Sequence, residues 1–169
     1  DLSEINNFTK LCIGTAQFGM NYGVANTKGQ LSLKEMSKIL SYAKKKGVKS
    51  IDTAIDYGES ESKLGKLSVS NWDIISKISN LRDIDQNLKI FTVSKDKNRV
   101  ELLKIKKLDT LLFHTPQDLL DLNSNNIYSA VEKCKEESLC SKIGISSYSS
   151  EEVKKIVKKY KIDVVQFPL

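Results

Sequence analysis

The stretch GTAQFGMNYG, residues 14–23, decides between two folds that the rest of the chain allows. It overlaps the end of the first apolar run, KLCIGT, and has its glycines at Gly14, Gly19 and Gly23. The phosphate-binding turn of an open dinucleotide-binding sheet needs the tighter spacing G-x-G-x-x-G directly after the first strand. This stretch lacks that spacing, and no nucleotide fingerprint occurs elsewhere in the sequence. An open nucleotide-binding sheet is therefore disfavoured.

Apolar runs alternate with amphipathic stretches along the chain. The apolar runs predict six strands, at residues 10–15, 48–52, 72–78, 108–114, 141–147 and 162–167. The amphipathic stretches predict helices within residues 32–47, around residues 59–67, with breaks within residues 80–107, and over residues 127–134 and 149–160. Two of these helices begin with a capping box, Ser32 with Glu35 and Ser149 with Glu152.

Alternating strands and helices fit either an open doubly wound sheet or a closed barrel of the TIM type. The strands are short, continuous apolar runs, which is typical of parallel strands that are buried on both faces. With the nucleotide-binding turn missing, we predict an α/β fold of the (β/α)8 barrel type in one domain over residues 1–169. Such a barrel takes ~250 residues. We therefore expect an incomplete barrel of about six strands and five helices, truncated after strand six.

Composition narrows the class of protein. Hydrophobic residues make up 40% of the chain and charged residues 28%, which is ordinary for a globular protein. The net charge is +6, but the lysines are spread along helices, and we expect no nucleic-acid partner. The cysteines, Cys12, Cys134 and Cys140, are odd in number and lack metal-ligand spacing, which favours a reduced, cytoplasmic protein without a metal site. No apolar run approaches the ~20 residues of a membrane span, so no membrane partner is expected.

Small or polar residues stand at the carboxyl end of every predicted strand. In chain order they are Gly14-Thr15, Asp52, Lys77, His114, Ser146-Ser147 and Gln166. In a barrel these strand ends converge on one rim, where barrel enzymes have their active sites. We therefore expect residues that are far apart in the sequence to form one site.

The chemistry of this set favours proton transfer. Tyr57 follows Asp52 by five residues, and the neighbouring Gly58 is typical of a loop that presents the phenol. A free phenol has a pKa near ~10 and transfers protons poorly at neutral pH unless its anion is stabilised. We expect Lys77, held by Asp52, to lower the pKa of Tyr57. Tyr57 would then protonate the oxygen of a carbonyl that gains hydride on carbon, with His114 orienting that oxygen or sharing the proton transfer.

A longer pattern resembles a known family. The stretch DTAIDYGESESKLG, residues 52–65, is similar to the signature D-T-A-x-x-Y-G-x-S-E-x-x-L-G of the aldo-keto reductases. The resemblance continues, in the order of the family, through SKI, LLFH, KIGISSY and DVVQFP, and it covers essentially the whole chain. The segment GTAQFGMNYGVAN, residues 14–26, is most similar to bacterial members associated with sugar and surface-polysaccharide metabolism.

The resemblance implies a (β/α)8 barrel that binds NADPH at its C-terminal face without a Rossmann fold. It implies the reduction of an aldehyde or ketone, a small-molecule carbonyl substrate that is sugar-like in the bacterial members, to an alcohol. Within this activity it implies that Tyr57 is the general acid/base, that Asp52 and Lys77 tune it, and that His114 orients the carbonyl.

The resemblance also implies a set of cofactor-binding residues. They are Gly14, Thr15, Asp52, Ser146, Ser147 and Gln166. Ser146 and Gln166 would contact the nicotinamide carboxamide, and Asp52 with the Gly14-Thr15 turn would lie near the nicotinamide ribose. The family commonly has Ser-Asn where this chain has two serines, and the hydroxyl of Ser147 is shorter than an amide.

Alternatives to a working reductase remain. One is a non-catalytic binding or regulatory subunit with the same barrel, and another is an inactive truncated fragment that self-associates through open sheet edges. The intact set of Asp52, Tyr57, Lys77 and His114 favours chemistry over both. A Schiff-base mechanism is disfavoured because the reactive lysine is then usually unpaired, whereas Lys77 has Asp52 as an expected partner. NADH stays an alternative to NADPH because the family's adenosine-binding units follow the sixth strand.

Overall fold

A computed structural model describes residue 8 and residues 10–23, 29–83 and 88–168 of the chain, with the backbone alone at residues 83 and 88–91. All six predicted strands are present. They are β1 (Cys12–Gly14), β2 (Ser50–Asp52), β3 (Asp73–Ile78), β4 (Leu108–Phe113), β5 (Cys140–Ser146) and β6 (Val164–Gln166). They form one sheet in the order β1-β2-β3-β4-β5-β6, and every neighbouring pair is parallel.

The strand order identifies the architecture. In an open doubly wound sheet the order reverses at a switch point, whereas here each strand pairs with the next strand in the sequence. Sequential parallel strands joined by helices are the arrangement of a (β/α)8 barrel. The chain therefore folds as an incomplete barrel of this type, as the sequence predicted.

Helices follow the strands in alternation. They are α1 (Ala16–Gly19), α2 (Leu33–Lys45), α3 (Ser60–Lys66), α4 (Leu88–Leu103), α5 (Ser124–Glu136) and α6 (Ser150–Lys159). The described residues thus contain one helix more than the five predicted, because the turn after β1 includes the single helical turn α1. The predicted breaks within residues 80–107 agree with a 3-10 helix over Leu81–Asp83 ahead of α4; residues 84–87 lie outside the described part of the chain. No helix of the described residues is long and apolar enough to cross a membrane.

Local signals in the sequence set the helix starts. The side chain of Ser32 accepts a hydrogen bond from the backbone N–H of Glu35, whose carboxylate accepts one from the backbone N–H of Ser32. Ser149 accepts in the same way from the backbone N–H of Glu152 at the start of α6. Such a cap is worth about 0.5–2 kcal/mol of stability.

The sheet has two distinct faces. Under the helices, Ile51, Ile74, Leu111, Phe113 and Ile145 are almost wholly buried and belong to one hydrophobic core. Burial of each such side chain contributes about 1.5–3 kcal/mol. The residues that alternate with them point to the opposite, concave face. The register aligns one row of that face, formed by Gly14, Asp52, Ile75, Thr110 and Lys142. The core thus fixes which side chains of each strand reach the concave face.

Candidate active site

Lys77, near the end of β3, is a buried lysine whose ammonium group is fully paired. Its side chain is 1% exposed, and its Nζ lies 2.5 Å from Oδ1 of Asp52 on β2. The same ammonium donates to the carbonyl of Thr53 at 2.9 Å and lies 3.5 Å from the hydroxyl of Tyr57. Burial of an unpaired ammonium is strongly unfavourable, so Asp52 and Thr53 hold Lys77 in place and leave its charge beside the phenol.

The loop that carries Tyr57 is held against the turn after β1. A Cβ atom at Gly19 would lie 1.6 Å from the Tyr57 carbonyl oxygen, so the two backbones touch and only glycine fits. Gly58 has φ +54, and a Cβ atom there would lie 2.4 Å from the Gly19 carbonyl oxygen. The backbone N–H of Tyr57 donates to Ala54, and that of Ser60 donates to the Tyr57 carbonyl. Gly19 and Gly58 therefore determine the position of the Tyr57 phenol.

A buried hydroxyl network supports this loop from below. Thr15 donates to the carbonyl of Asp52 at 2.8 Å, and Ser60 donates to the Thr15 hydroxyl at 2.9 Å. The hydroxyls of Thr53 and Ser60 are 3.1 Å apart. Because all three hydroxyl residues are fully buried, Thr15 uses its side chain to connect β1, β2 and the start of α3.

The electrostatics of Tyr57 differ from the sequence-based expectation. Burial, and secondarily the negative charge of Asp52, raise the pKa of Tyr57 to about 12. Tyr22, Tyr148 and Asp56 add smaller effects in the same direction. The expectation that the pKa of Tyr57 is lowered is therefore wrong for the free chain, since desolvation of the phenolate and the charge of Asp52 raise it. Tyr57 keeps its proton throughout the physiological range.

His114 follows β4 and lies beside Tyr57. The two ring centroids are 6.1 Å apart, and the rings meet edge to face at 84°. The Nδ1 atom of His114 lies 3.2 Å from Oδ2 of Asp56, and the hydroxyl of Ser79 donates to the same oxygen at 2.6 Å. Asp56 and Ser79 thus form a polar support for the imidazole.

The last two strands contribute residues that behave differently from one another. Gln166 on β6 donates through Nε2 to Oδ2 of Asp52 at 2.8 Å. Ser146 is partly exposed, and its hydroxyl has no hydrogen-bond partner among the residues that the structure describes. The hydroxyl of Ser147 is buried and donates to Oε2 of Glu152 in α6 at 2.9 Å. The hydroxyl of Ser147 therefore stabilises the start of α6, whereas the hydroxyl of Ser146 is available to a ligand.

A cavity of about 390 Å³ opens beside the paired Asp52. It is lined by Gly14, Thr15, Ala16, Gln17, Tyr22, Gly23, Asp52 and Tyr57. A Cβ atom built at Gly14 would meet no heavy atom within 4 Å, so the missing side chain leaves open space at the end of β1.

A second charged cluster lies behind β3, on the helix side of the sheet. Arg99 of α4 contacts Oδ1 of Asp96 at 2.6 Å and Oε1 of Glu61 at 3.5 Å. Glu61 accepts from the hydroxyl of Ser76 at 2.5 Å, and Arg99 donates to the carbonyl of Lys77 at 3.4 Å. Burial raises the pKa of the Glu61 and Asp96 carboxyl groups, and the positive charge of Arg99 partly counteracts this rise. The cluster is therefore hydrogen-bonded to two consecutive residues of β3, Ser76 and Lys77.

The structure brings Asp52, Tyr57, Lys77 and His114 together at one rim, with Gln166 reaching the first of them. Sequence reasoning expected the pairing of Lys77 with Asp52 but did not find the residues that support His114. Asp56 stood next to Tyr57 in the signature, and Ser79 follows Lys77 by two residues, but neither had a pattern that assigned it a contact. The cluster of Glu61, Asp96 and Arg99 was missed because its members lie on helices whose polar residues resemble a solvated face.

Known proteins that are similar to this chain point to one family. A model described as the Aldo/keto reductase family matches residues 10–169. Protein REDOX 2 of Catharanthus roseus is 25% identical over 180 aligned positions, which cover 92% of this chain and 52% of that protein. The chain thus spans about half the length of this relative.

Solved structures share the fold. A crystal structure described as that of an aldo-keto reductase from Pseudomonas aeruginosa is 25% identical, with a TM-score of 0.75, and the match covers 96% of this chain and 66% of that one. An aldo-keto reductase from Bombyx mori, solved in complex with NADP, has a TM-score of 0.71 at 18% identity, over 94% of this chain and 54% of that one. In both comparisons the chain corresponds to less than two thirds of the known barrel.

Proposed function

The chain belongs to the aldo/keto reductase family, and we propose that it forms the catalytic rim of an NADPH-dependent oxidoreductase that reduces an aldehyde or ketone to an alcohol. The observation that carries the proposal is the convergence of the phenol of Tyr57, the ammonium of Lys77 and the carboxylate of Asp52, with His114 beside the phenol ring. These groups come from three strand ends and one loop, and packing of the core does not require them to meet.

Three features support a nicotinamide ring at this rim. The open space at Gly14 lies in the same cavity as Asp52 and Tyr57. The hydroxyl of Ser146 is available to a carboxamide. The side chain of Gln166 forms a hydrogen bond to the described residues only through its Nε2. The silkworm relative was solved with NADP, which supports the choice of dinucleotide. When bound, the reduced nicotinamide supplies the hydride for the carbonyl carbon.

The residues of the chain supply the proton and the charge. Tyr57 keeps its proton because its pKa is raised to about 12, so its hydroxyl is a donor and serves as the general acid for the carbonyl oxygen. After the transfer, the phenolate lies 3.5 Å from the ammonium of Lys77, which stabilises the new negative charge. Asp52 neutralises Lys77 before the reaction and fixes its position. The ammonium of Lys77 thus favours the state that follows proton transfer.

The proposal is tested by carbonyl-dependent oxidation of NADPH, comparing the wild type with Tyr57→Phe. We expect the variant to lose about 10²–10⁴-fold in kcat, the usual contribution of a positioned general acid, while it still binds NADPH. Tyr42→Phe is the matched control, because it also removes one phenolic hydroxyl but lies exposed on α2. Equal activity of the wild type and Tyr57→Phe, or no activity with any aldehyde or ketone, would refute the proposal.

A further inference from the structure

The backbone carbonyl of Lys77 accepts hydrogen bonds from two other elements of the fold. Nη2 of Arg99 in α4 donates to it at 3.4 Å, and the backbone N–H of Ile55 donates to it at 3.4 Å. Ile55 belongs to the loop that carries Tyr57. One carbonyl therefore connects the buried cluster behind β3 with the lysine and with the loop of the phenol.

The guanidinium group of Arg99 is itself held in place. Its side chain is 1% exposed, Nη1 contacts Oδ1 of Asp96 at 2.6 Å, and Nε lies 3.5 Å from Oε1 of Glu61. Both carboxylates are buried as well, and the Glu61 oxygen also accepts from the hydroxyl of Ser76, which precedes Lys77. A guanidinium group is planar and its N–H groups point in fixed directions, so carboxylates that hold Nη1 and Nε also direct Nη2. The cluster thus aims Nη2 at β3.

Close packing of α3 on α4 brings Glu61 to Arg99. A Cβ atom at Gly65, one turn after Glu61, would lie 2.0 Å from the carbonyl oxygen of Leu102. Only glycine therefore fits where the two helices touch, and this contact lies three residues after Arg99 on α4. Glu61 and Gly65 belong to the signature stretch at residues 52–65, but the proposed chemistry uses neither. Their place in the packing of α3 on α4 gives both a role in the support of β3.

We propose that Arg99 is a positioning residue that fixes the backbone of Lys77 and thereby sets the distance between the Lys77 ammonium and the hydroxyl of Tyr57. This inference rests on the proposed function. Asp52 holds the side chain of Lys77 at its ammonium, and Arg99 holds the same residue at its carbonyl. The ammonium lies 3.5 Å from the phenol oxygen, so a small displacement of β3 weakens its stabilisation of the phenolate.

The activity test compares Arg99→Ala with a control that is destabilised elsewhere. We expect Arg99→Ala to lose about 10²-fold in kcat, the cost of a ~1 Å misplacement in an active site, with little change in the KM for NADPH. Guanidinium ion should enter the vacated space and restore part of kcat, whereas urea at the same concentration carries no charge and should not. Ile156→Val is the control, because it trims a fully buried side chain of α6, outside the cluster, and should keep the wild-type kcat. A wild-type kcat in Arg99→Ala, or a loss that guanidinium restores no better than urea, would overturn the inference.

A second variant makes the test independent of enzymatic activity and of the folding of Arg99→Ala. Arg99→Lys keeps a positive charge in the cluster but lacks the planar fork of the guanidinium group. In the wild type the Lys77 ammonium lies 5.0 Å from the centre of the Tyr57 ring, so nuclear Overhauser cross-peaks should join the adjacent methylene hydrogens of Lys77 to the ring hydrogens. We expect these cross-peaks to lose intensity in Arg99→Lys and to keep it in Ile156→Val. Cross-peaks as strong in Arg99→Lys as in the wild type would overturn the inference. If the wild type reduces no aldehyde or ketone, the proposed function fails, and the cross-peaks still decide the role of Arg99.

Discussion

Gln166 on β6 donates a 2.8 Å hydrogen bond to Asp52 on β2, although β3, β4 and β5 lie between these two strands in the sheet. Strands of a sheet are ~4.8 Å apart, so a flat sheet would hold the two side chains far beyond contact. The bond is therefore a direct sign that the sheet curls around its concave face. It also gives both oxygens of Asp52 a partner, because Lys77 takes the other.

We predict that Gln166→Leu destabilises the fold by about 0.5–1.5 kcal/mol, because it removes a part-buried hydrogen bond and leaves Oδ2 of Asp52 without this donor. Urea unfolding monitored by circular dichroism gives the free energy of unfolding directly. Gln30→Leu makes the same chemical change at an exposed site and should alter stability little. A Gln166→Leu protein as stable as the wild type would mean that the curvature does not depend on this contact.

Replacement of Lys77 separates its structural role from its catalytic one. Lys77→Met removes the ammonium and leaves the carboxylate of Asp52, 13% exposed, without its cation. We expect a loss of up to about 3–5 kcal/mol in the free energy of unfolding. Asp52→Asn in the same protein removes the uncompensated charge and should restore part of that stability. Activity should not return in the double variant, because the phenolate of Tyr57 still lacks its cation.

The raised pKa of Tyr57 predicts how the free chain responds to alkaline pH. Burial and Asp52 place this pKa at about 12, above the ordinary value of 10.0. The folded state therefore holds the proton more tightly than the unfolded state, and stability from this group is lost as pH rises from about 10 toward 12. Between pH 9 and 11 the wild type and Tyr57→Phe should show nearly the same phenolate absorbance near 295 nm. A wild type with one additional phenolate at pH 10 would contradict this prediction.

The comparison of sequence and structure shows which kinds of feature a single sequence can predict. The strands were predictable because parallel strands are continuous apolar runs, and the strand ends at Asp52, Lys77 and His114 followed from them. The helical turn α1 and the support of His114 by Asp56 were not, because they depend on how two loops meet in space. The prediction that the pKa of Tyr57 is lowered was wrong for a similar reason. Charge partners can be inferred from the sequence, but the desolvation that outweighs them cannot.

The close approach of Gly19 and the Tyr57 loop predicts a strong effect of a single methyl group. Gly19→Ala would place Cβ 1.6 Å from the Tyr57 carbonyl oxygen, and backbone cannot yield as a flexible side chain does. We expect the loop to move, with a large loss of kcat and a lower melting temperature. Gly14→Ala is the control for stability, because its Cβ meets no atom within 4 Å and should leave the melting temperature unchanged. If both variants melt alike, the loop does not depend on Gly19.

Replacement of Arg99, the cation of the buried cluster behind β3, should change the stability of the protein in a pH-dependent way. Arg99→Met leaves Glu61 and Asp96 buried without the charge that counteracts the rise of their pKa values, so both pKa values should rise further. The folded variant then holds protons that the unfolded chain releases, and its stability relative to the wild type should fall as pH increases. We expect a larger loss of unfolding free energy at pH 7.5 than at pH 4.5, measured by urea unfolding at both values. Glu61→Gln added to Arg99→Met removes one of the two carboxylates and should reduce the loss at pH 7.5. An equal loss at both pH values would show that Arg99 stabilises the protein through packing rather than through its charge.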